Sequence, residues 1–453
     1  MIRSLNVLMV VVIFCCVCVA GQYEPNWQSL DSREIPQWFD EAKFGIFIHW
    51  GVYAVPSWAP KGSYAEWYGY AMHQKDSPTA KFHSEEYGDT FDYKEFAADF
   101  TAQLFDADKW AELFKRSGAK YVVLTSKHHD GFCLWPSEQS PGWNSLDVGP
   151  KIDIAGTLAA AVRKQGLKMG FYYSLYEWHN PLYKTDVAKY VPRHMLAQLT
   201  ELVQKYEPAL IFADGEWDHN SDVWLSEKFL AWLYNDSAVK DYVVVNDRWG
   251  KDCRSRHGGY YTSEYGQVDL EGTKLGSGRK WEESRGMGGS YGYNRNEDFA
   301  DYQTTKQLID MFVKIVSNGG NLLLNIGPTA DGLIPVIMQE RLIEMGDWLK
   351  INGLAIYGTR PYKITSQGEN IFFTANKDDL FVILTAWPDK SVELKDIPVK
   401  EGAVINLLGT DIDLKWQLKD GVVTVDTSVI TPGLLPSGYA NVLRVTDFMK
   451  DSN

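Results

Sequence analysis

The sequence predicts an α/β protein: a (β/α)8-like barrel followed by a C-terminal antiparallel β-sandwich. Three observations lead there. Eight short apolar runs read as buried strands, amphipathic helical stripes lie between several of them, and near residue 354 the pattern changes to closely spaced β-forming runs with no helical stripe. With 453 residues, 45% of them hydrophobic, the chain can bury a core large enough for both parts.

The eight runs are "GIFIHW" (45–50), "YVVLTS" (121–126), "MGFYYS" (169–174), "ALIFAD" (209–214), "YVVVND" (242–247), "GYYTSE" (259–264), "SYGYN" (290–294) and "NLLLNI" (321–326). Strand and helix in alternation imply parallel pairing through crossover connections. Asp106 or Asp108 can cap a helix whose Trp110, Leu113 and Phe114 share a face, with Gly118 as its stop. Asp153 precedes Ile154, Leu158 and Val162 at helical spacing, and Gly166 ends that segment. Met195, Leu199, Leu202, Val203 and Tyr206 form a third stripe, stopped by Pro208, and Leu308, Met311, Phe312, Ile315 and Val316 a fourth. A doubly wound open sheet is the alternative fold, but its glycine fingerprint is missing. After a last helix around Met338 to Ile351, "ENIFFTAN", "LFVILTAW", "AVINLLG" and "GVVTVDT" read as a small antiparallel domain. The expected layout is therefore a leader over 1–20, a barrel over 21–353 and a β-sandwich over 354–453.

The leader "MIRSLNVLMVVVIFCCVCVA" has an early Arg, an apolar core and small residues at Ala20 and Gly21, the layout of a secretory signal peptide too short for a comfortable membrane span. Its removal takes Cys15, Cys16 and Cys18, leaving Cys133 and Cys253 and at most one intrachain disulfide. The expected setting is the secretory pathway, a lysosome or the outside, where "NDS" at Asn235 is a glycosylation acceptor. A net charge of −14 argues against nucleic acid as a partner. The 17 Trp and 25 Tyr supply core, and also the flat apolar faces on which sugar rings stack.

In a barrel of this type the active site is built at the C-terminal strand ends. Those ends carry His49, then His128 and His129, Tyr172 and Tyr173, Asp214, Asp247 and Arg248, Glu264, Tyr293 and Asn294, and Asn325. Asp214 ends an apolar strand and is expected to face the pocket, whereas Glu216 and Asp218 on the outgoing loop are expected to be solvated. His128 and His129 with Asp130 raise the thought of a metal, but adjacent strand residues point to opposite faces unless the strand has already ended, and no HExxH or CxxC pattern is present. No metal and no cofactor is expected. No GxSxG elbow supports a serine nucleophile. Two carboxylates at an aromatic pocket point to glycoside hydrolysis, with Asp214 as one and Glu264 or Glu282 as the other.

The motifs "FGIFIHWG", "AEWY", "SKHHDGFCLW", "FADGEWD", "NDRWG", "RKWEES", "GYNRN" and "GGNLLLNIGPTADG" together resemble family 29 α-L-fucosidases, close to the animal lysosomal and secreted type, from about residue 25 to the end. The resemblance implies a retaining mechanism on terminal α-L-fucose, a fucosylated oligosaccharide or glycoconjugate as substrate, and a homo-oligomer. It places Asp214 at the nucleophile position. His49, His128, His129, Tyr173 and Arg248 match fucose-binding positions, and Glu66 and Trp67 match positions that close over the sugar. Glu264 and Glu282 both match proposed acid/base positions, and Glu264 is favoured because a strand end fixes a carboxylate better than a loop. Many members carry Trp where this chain has Phe212, which keeps a ring but loses an N–H donor. The rival readings are a catalytically silent fucose-binding protein and a retaining glycosidase for another sugar.

Overall fold

The computed structural model describes residues 22–266, 279–397, 399–400 and 402–446; the leader at 1–20 lies outside them. Eight parallel strands form one curled sheet: β1 (Phe44–Ile48), β2 (Tyr121–Lys127), β3 (Lys168–Ser174), β4 (Leu210–Asp214), β5 (Val244–Val245), β6 (Tyr261–Glu264), β7 (Trp281–Gly286) and β8 (Gly320–Ile326). Their order is β5-β4-β3-β2-β1-β8-β7-β6, so β5 and β6 are the two free edges. The edges meet through two backbone bonds, Tyr260 N–H to the Val245 carbonyl at 3.0 Å and Gly259 N–H to the Asn246 carbonyl at 3.1 Å. That approach requires glycine, because a Cβ on Gly259 would lie 1.8 Å from the Val245 oxygen.

Side-chain alternation divides the apolar residues into two shells. Phe47, Tyr121, Val123, Tyr172, Leu210, Phe212 and Leu323 fill the barrel. Ile46, Val122, Phe171, Tyr173, Ile211 and Leu324 face outward onto the helices. Those helices follow the expected stripes. Asp106 caps Ala107–Arg116, accepting from the Lys109 N–H, and Asp153 caps Ile154–Lys164, accepting from the Gly156 N–H. Leu196–Tyr206, Thr305–Ser317 and Val336–Asn352 supply the remaining stripes.

One expected strand is in the wrong place. "SYGYN" is irregular, and the seventh strand is Trp281–Gly286, which contains the "KWEES" carboxylates read from sequence as a loop. The physical reason is that this strand is buried while its text, Glu-Glu-Ser-Arg, is polar, so it carries no hydrophobic alternation to detect.

Antiparallel strands begin at Arg360. β9 (Arg360–Gln367), β10 (Ile371–Ala375), β11 (Asp379–Leu384), β13 (Ile405–Leu407) and β16 (Asn441–Thr446) form a five-stranded sheet in the order β13-β16-β11-β10-β9, and β12 (Ser391–Lys395), β14 (Trp416–Lys419) and β15 (Val422–Asp426) form a three-stranded one in the order β12-β15-β14. The two enclose a shared core that includes Phe373, Val382, Leu394, Val423, Val425 and Leu443. This is the two-layer sandwich expected from the short β-forming runs.

Candidate active site

The C-terminal strand ends open onto a pocket walled by aromatic rings, imidazoles and carboxylates, with about 470 Å³ of empty space including its open mouth. Asp214, on the inner face at the end of β4, is its best-connected charge. Oδ1 accepts from Arg248 Nη1 at 2.7 Å, and Oδ2 accepts from the Tyr172 hydroxyl at 2.9 Å. His129 Nε2 and Arg254 Nη2 each lie 3.7 Å away. Burial alone would raise this carboxyl, but the charges of Arg248 and Arg254, joined in strong acid by that of a protonated His129, outweigh it and hold it at about 2. Asp214 is therefore ionised at any working pH.

Arg248 follows β5. Its Nη2 donates to Glu264 Oε2 at 3.2 Å, and its Nε donates to Thr262 Oγ1 at 3.0 Å. One guanidinium thus spans both carboxylates, and it rests over the Phe212 ring, 5.0 Å from the centroid. Glu264, at the end of β6, also accepts from the Tyr64 hydroxyl at 3.4 Å.

Three imidazoles wall the pocket as neutral groups. His49 Nδ1 pairs with Asn325 Oδ1 at 2.7 Å, which fixes the proton there and leaves Nε2 as an acceptor. Ser174 Oγ donates to the Tyr176 carbonyl, so His129 Nδ1–H is the donor in its 2.6 Å contact with Ser174 Oγ, and Nε2 is again free to accept. Burial pushes His49 down to about 3 and His129 to about 4, and carries His128 well below its ordinary value. His128 and His129 both line the cavity because β2 ends at Lys127, after a register shift that turns Lys127 outward. Asp130 turns away to the Tyr93 hydroxyl at 2.7 Å and the Phe132 N–H at 3.0 Å, so the trio does not converge as ligands.

Glu66 and Trp67, in the short turn Ala65–Trp67, complete the wall. Burial raises Glu66 to about 7 although it accepts from the Gly292 N–H at 2.8 Å, so it carries a proton in acid and can donate to a sugar hydroxyl. Trp67 lies 5.1 Å from the His129 ring and 6.0 Å from Trp217.

Three sequence readings are corrected. Tyr173 is not in the pocket: it is on the outer face of β3, where its hydroxyl donates to Gln198 Oε1 at 2.8 Å, and its neighbour Tyr172 faces inward. Glu282 does not reach the mouth either. In β7 it is level with Thr262, one inner-face step below Ser284, which is level with Glu264. It is fully buried in the barrel floor, bonded to the Tyr121 hydroxyl. Glu216, expected in solvent, is buried and ion-paired to Arg254.

Sequence reasoning also missed Tyr64, Trp217 and Tyr291 as lining residues. Trp217, three residues beyond Asp214, was the most accessible to it. Cys133 and Cys253 are both free and buried.

A carboxylate kept charged, a second one across a shared guanidinium, and unprotonated imidazoles among aromatic rings suit the cleavage of a sugar acetal. Fold and site together define a glycoside hydrolase. Comparison with known proteins narrows the class: the family profile described as Alpha-L-fucosidase matches residues 12–354, and the chain belongs to that family, glycoside hydrolase family 29, in its animal type. The bovine tissue α-L-fucosidase is 43% identical over 435 residues, covering 94% of this chain and 91% of that protein. A Thermotoga maritima α-fucosidase solved in complex with fucose superposes with a TM-score of 0.79 at 36% identity, covering 94% of this chain and 100% of that one. A family 29 enzyme from Bacteroides thetaiotaomicron, solved as a trapped covalent intermediate, gives 0.76 at 26% identity, covering 90% of this chain and 95% of that one.

Proposed function

We propose that the protein is a retaining exo-α-L-fucosidase that removes terminal α-L-fucose from glycans and glycoconjugates through a glycosyl-enzyme on Asp214. The observation that carries this reading is the setting of Asp214, a buried carboxylate ionised by Arg248 and steadied by Tyr172. Asp214 attacks the anomeric carbon while Glu264 gives its proton to the leaving oxygen, and water then cleaves the ester with Glu264 as base. Arg248 bridges the two carboxylates, which places both on the same pocket as the mechanism requires. Once the ester has neutralised Asp214, Arg248 is left with Glu264 as its carboxylate partner, the charge arrangement in which a general base works. His49, His128, His129 and Glu66 bind the hydroxyls, and Trp67 covers the ring.

The leader over 1–20 supports secretory entry, with a lysosome or the outside as destination. We also propose a homo-oligomer with a glycan on Asn235, a half-buried side chain whose Nδ2 donates to the Tyr23 carbonyl at 2.7 Å.

The test is azide rescue, run on Glu264→Ala and Glu282→Ala with an aryl α-L-fucoside. α-Fucosyl azide, the product of two inversions, from the Glu264 variant alone is the expected result. Rescue in the Glu282 variant alone would move the acid/base into the barrel floor and sink the assignment. Faster hydrolysis of an aryl galactoside or rhamnoside than of the fucoside would overturn the sugar.

A further inference from the structure

Beside the pocket, on the same face of the barrel, lies a second depression with about 820 Å³ of empty space up to its mouth. One wall is the segment around Tyr70 and Gln74, the other is the loop after β3 carrying Trp178, His179 and Tyr183, and Asp218 comes from the loop after β4. The two cavities share a partition of aromatic rings. Trp67, from the pocket, packs 5.3 Å from Trp178, and Trp217 packs 5.9 Å from Tyr176. Tyr70, 41% exposed, packs 5.8 Å from the Trp178 ring.

The chemistry of the groove is that of a neutral sugar site. The exposed Tyr70 ring supplies stacking surface, while Gln74, His73 and His179 supply hydrogen-bonding groups. His179 Nε2 is buried and has no hydrogen-bond partner among the described residues. The charges are already engaged or balanced: Asp218 accepts from the Tyr183 hydroxyl at 2.6 Å, Glu177 pairs with Lys127 at 3.1 Å, and Lys184 is the one further cation among the described residues of the lining. A sialylated or sulfated ligand finds no cluster of cations among them.

Resting on the fucosidase reading, we propose that this groove binds a neutral pyranose of the leaving glycan. A terminal fucose is linked only through its anomeric carbon, so whatever else enters from the same substrate belongs to the group that departs. Glu264, which serves the leaving oxygen, contacts Tyr64 and Arg248 and none of the groove residues. The groove therefore takes a branch or more distant sugar, and the enzyme prefers branched fucosylated oligosaccharides over simple fucosides.

The experiment compares kcat/KM of wild type, Tyr70→Ala and Gln74→Ala on an aryl α-L-fucoside, a fucosyl disaccharide and a branched fucosylated oligosaccharide. Tyr70→Ala is expected to lose about tenfold on the oligosaccharide alone, the size of one aromatic contact. Equal losses on all three substrates, or none on the oligosaccharide, would overturn the groove. Titration of the defucosylated oligosaccharide into wild type and Tyr70→Ala keeps the test independent of catalysis: weaker binding by the variant supports the groove, and equal or absent binding refutes it. A wild type inert on every fucoside would sink the activity instead, and the groove would then stand or fall by that titration.

Discussion

Arg248 Nη1 lies 2.7 Å from Asp214 Oδ1, and both side chains are almost completely buried. A pair so placed is costly to break from one side, because the remaining charge stays in a low-dielectric site without its partner. Arg254 is also near Asp214, but at 3.7 Å and about one third exposed, where solvent screens it.

The two arginines should therefore differ sharply. Arg248→Met is expected to lower kcat by roughly 10²–10³, the scale of losing a buried charged partner at a reacting centre. It should also shift the acid limb of kcat/KM to higher pH, since the burial that opposes ionisation of Asp214 is then less opposed. Arg254→Met should cost less than about tenfold. A pH–rate series on both variants checks this, and equal effects would refute the ranking.

Tyr172 and Tyr173 offer a second contrast. Tyr172→Phe removes a donor from Asp214 Oδ2 and should change turnover by roughly ten- to a hundredfold. Tyr173→Phe removes an outward bond to Gln198, so it should leave kcat/KM within about threefold while costing about 1 kcal/mol of stability. The reverse pattern would put the pocket on the other face of β3.

Glu282 should act on stability rather than turnover. Burial raises it to about 7 in the folded protein, against an ordinary value of 4.5. Below pH 4.5 it is protonated in both states and costs nothing. As pH rises toward 7 the unfolded chain gives up the proton more readily than the folded one, so stability falls, by on the order of 3 kcal/mol once pH exceeds both values. Glu282→Gln should keep fucosidase turnover and lose less melting temperature than wild type between pH 5 and pH 8. A variant with the wild-type pH slope would contradict this.

The strand ends were legible wherever a strand was apolar. Asp214 could be found because Leu210 to Ala213 announce the strand that delivers it, and the Asp106 and Asp153 caps because short acids precede clear stripes. What was not legible depended on phase or on distance along the chain. "YYS" offers two tyrosines, and one position decides which enters the barrel. The buried fate of Glu216 depends on Arg254, 38 residues away, and nothing local distinguishes it from a solvated loop acid. The seventh strand hid because its inner face holds Glu282 and Ser284 rather than apolar side chains.

The open edge between β5 and β6 lies along the line that separates the two carboxylates. Asp214 belongs to β4 on one side, and Glu264 to β6 on the other. Their separation is thus not fixed by a ladder of strand pairing. Besides the two backbone bonds at Gly259 and Tyr260, it is set by side-chain stitches: Asp247 Oδ1 accepts from the Thr262 hydroxyl at 2.7 Å and from the Thr262 N–H at 3.1 Å, and Arg248 reaches across to Glu264. The gap between the two carboxylates behaves like a clasp rather than a weld. Under the proposed mechanism its width bears on the stereochemical course, and substitution at these stitches can change that width while every strand of the barrel keeps its neighbours.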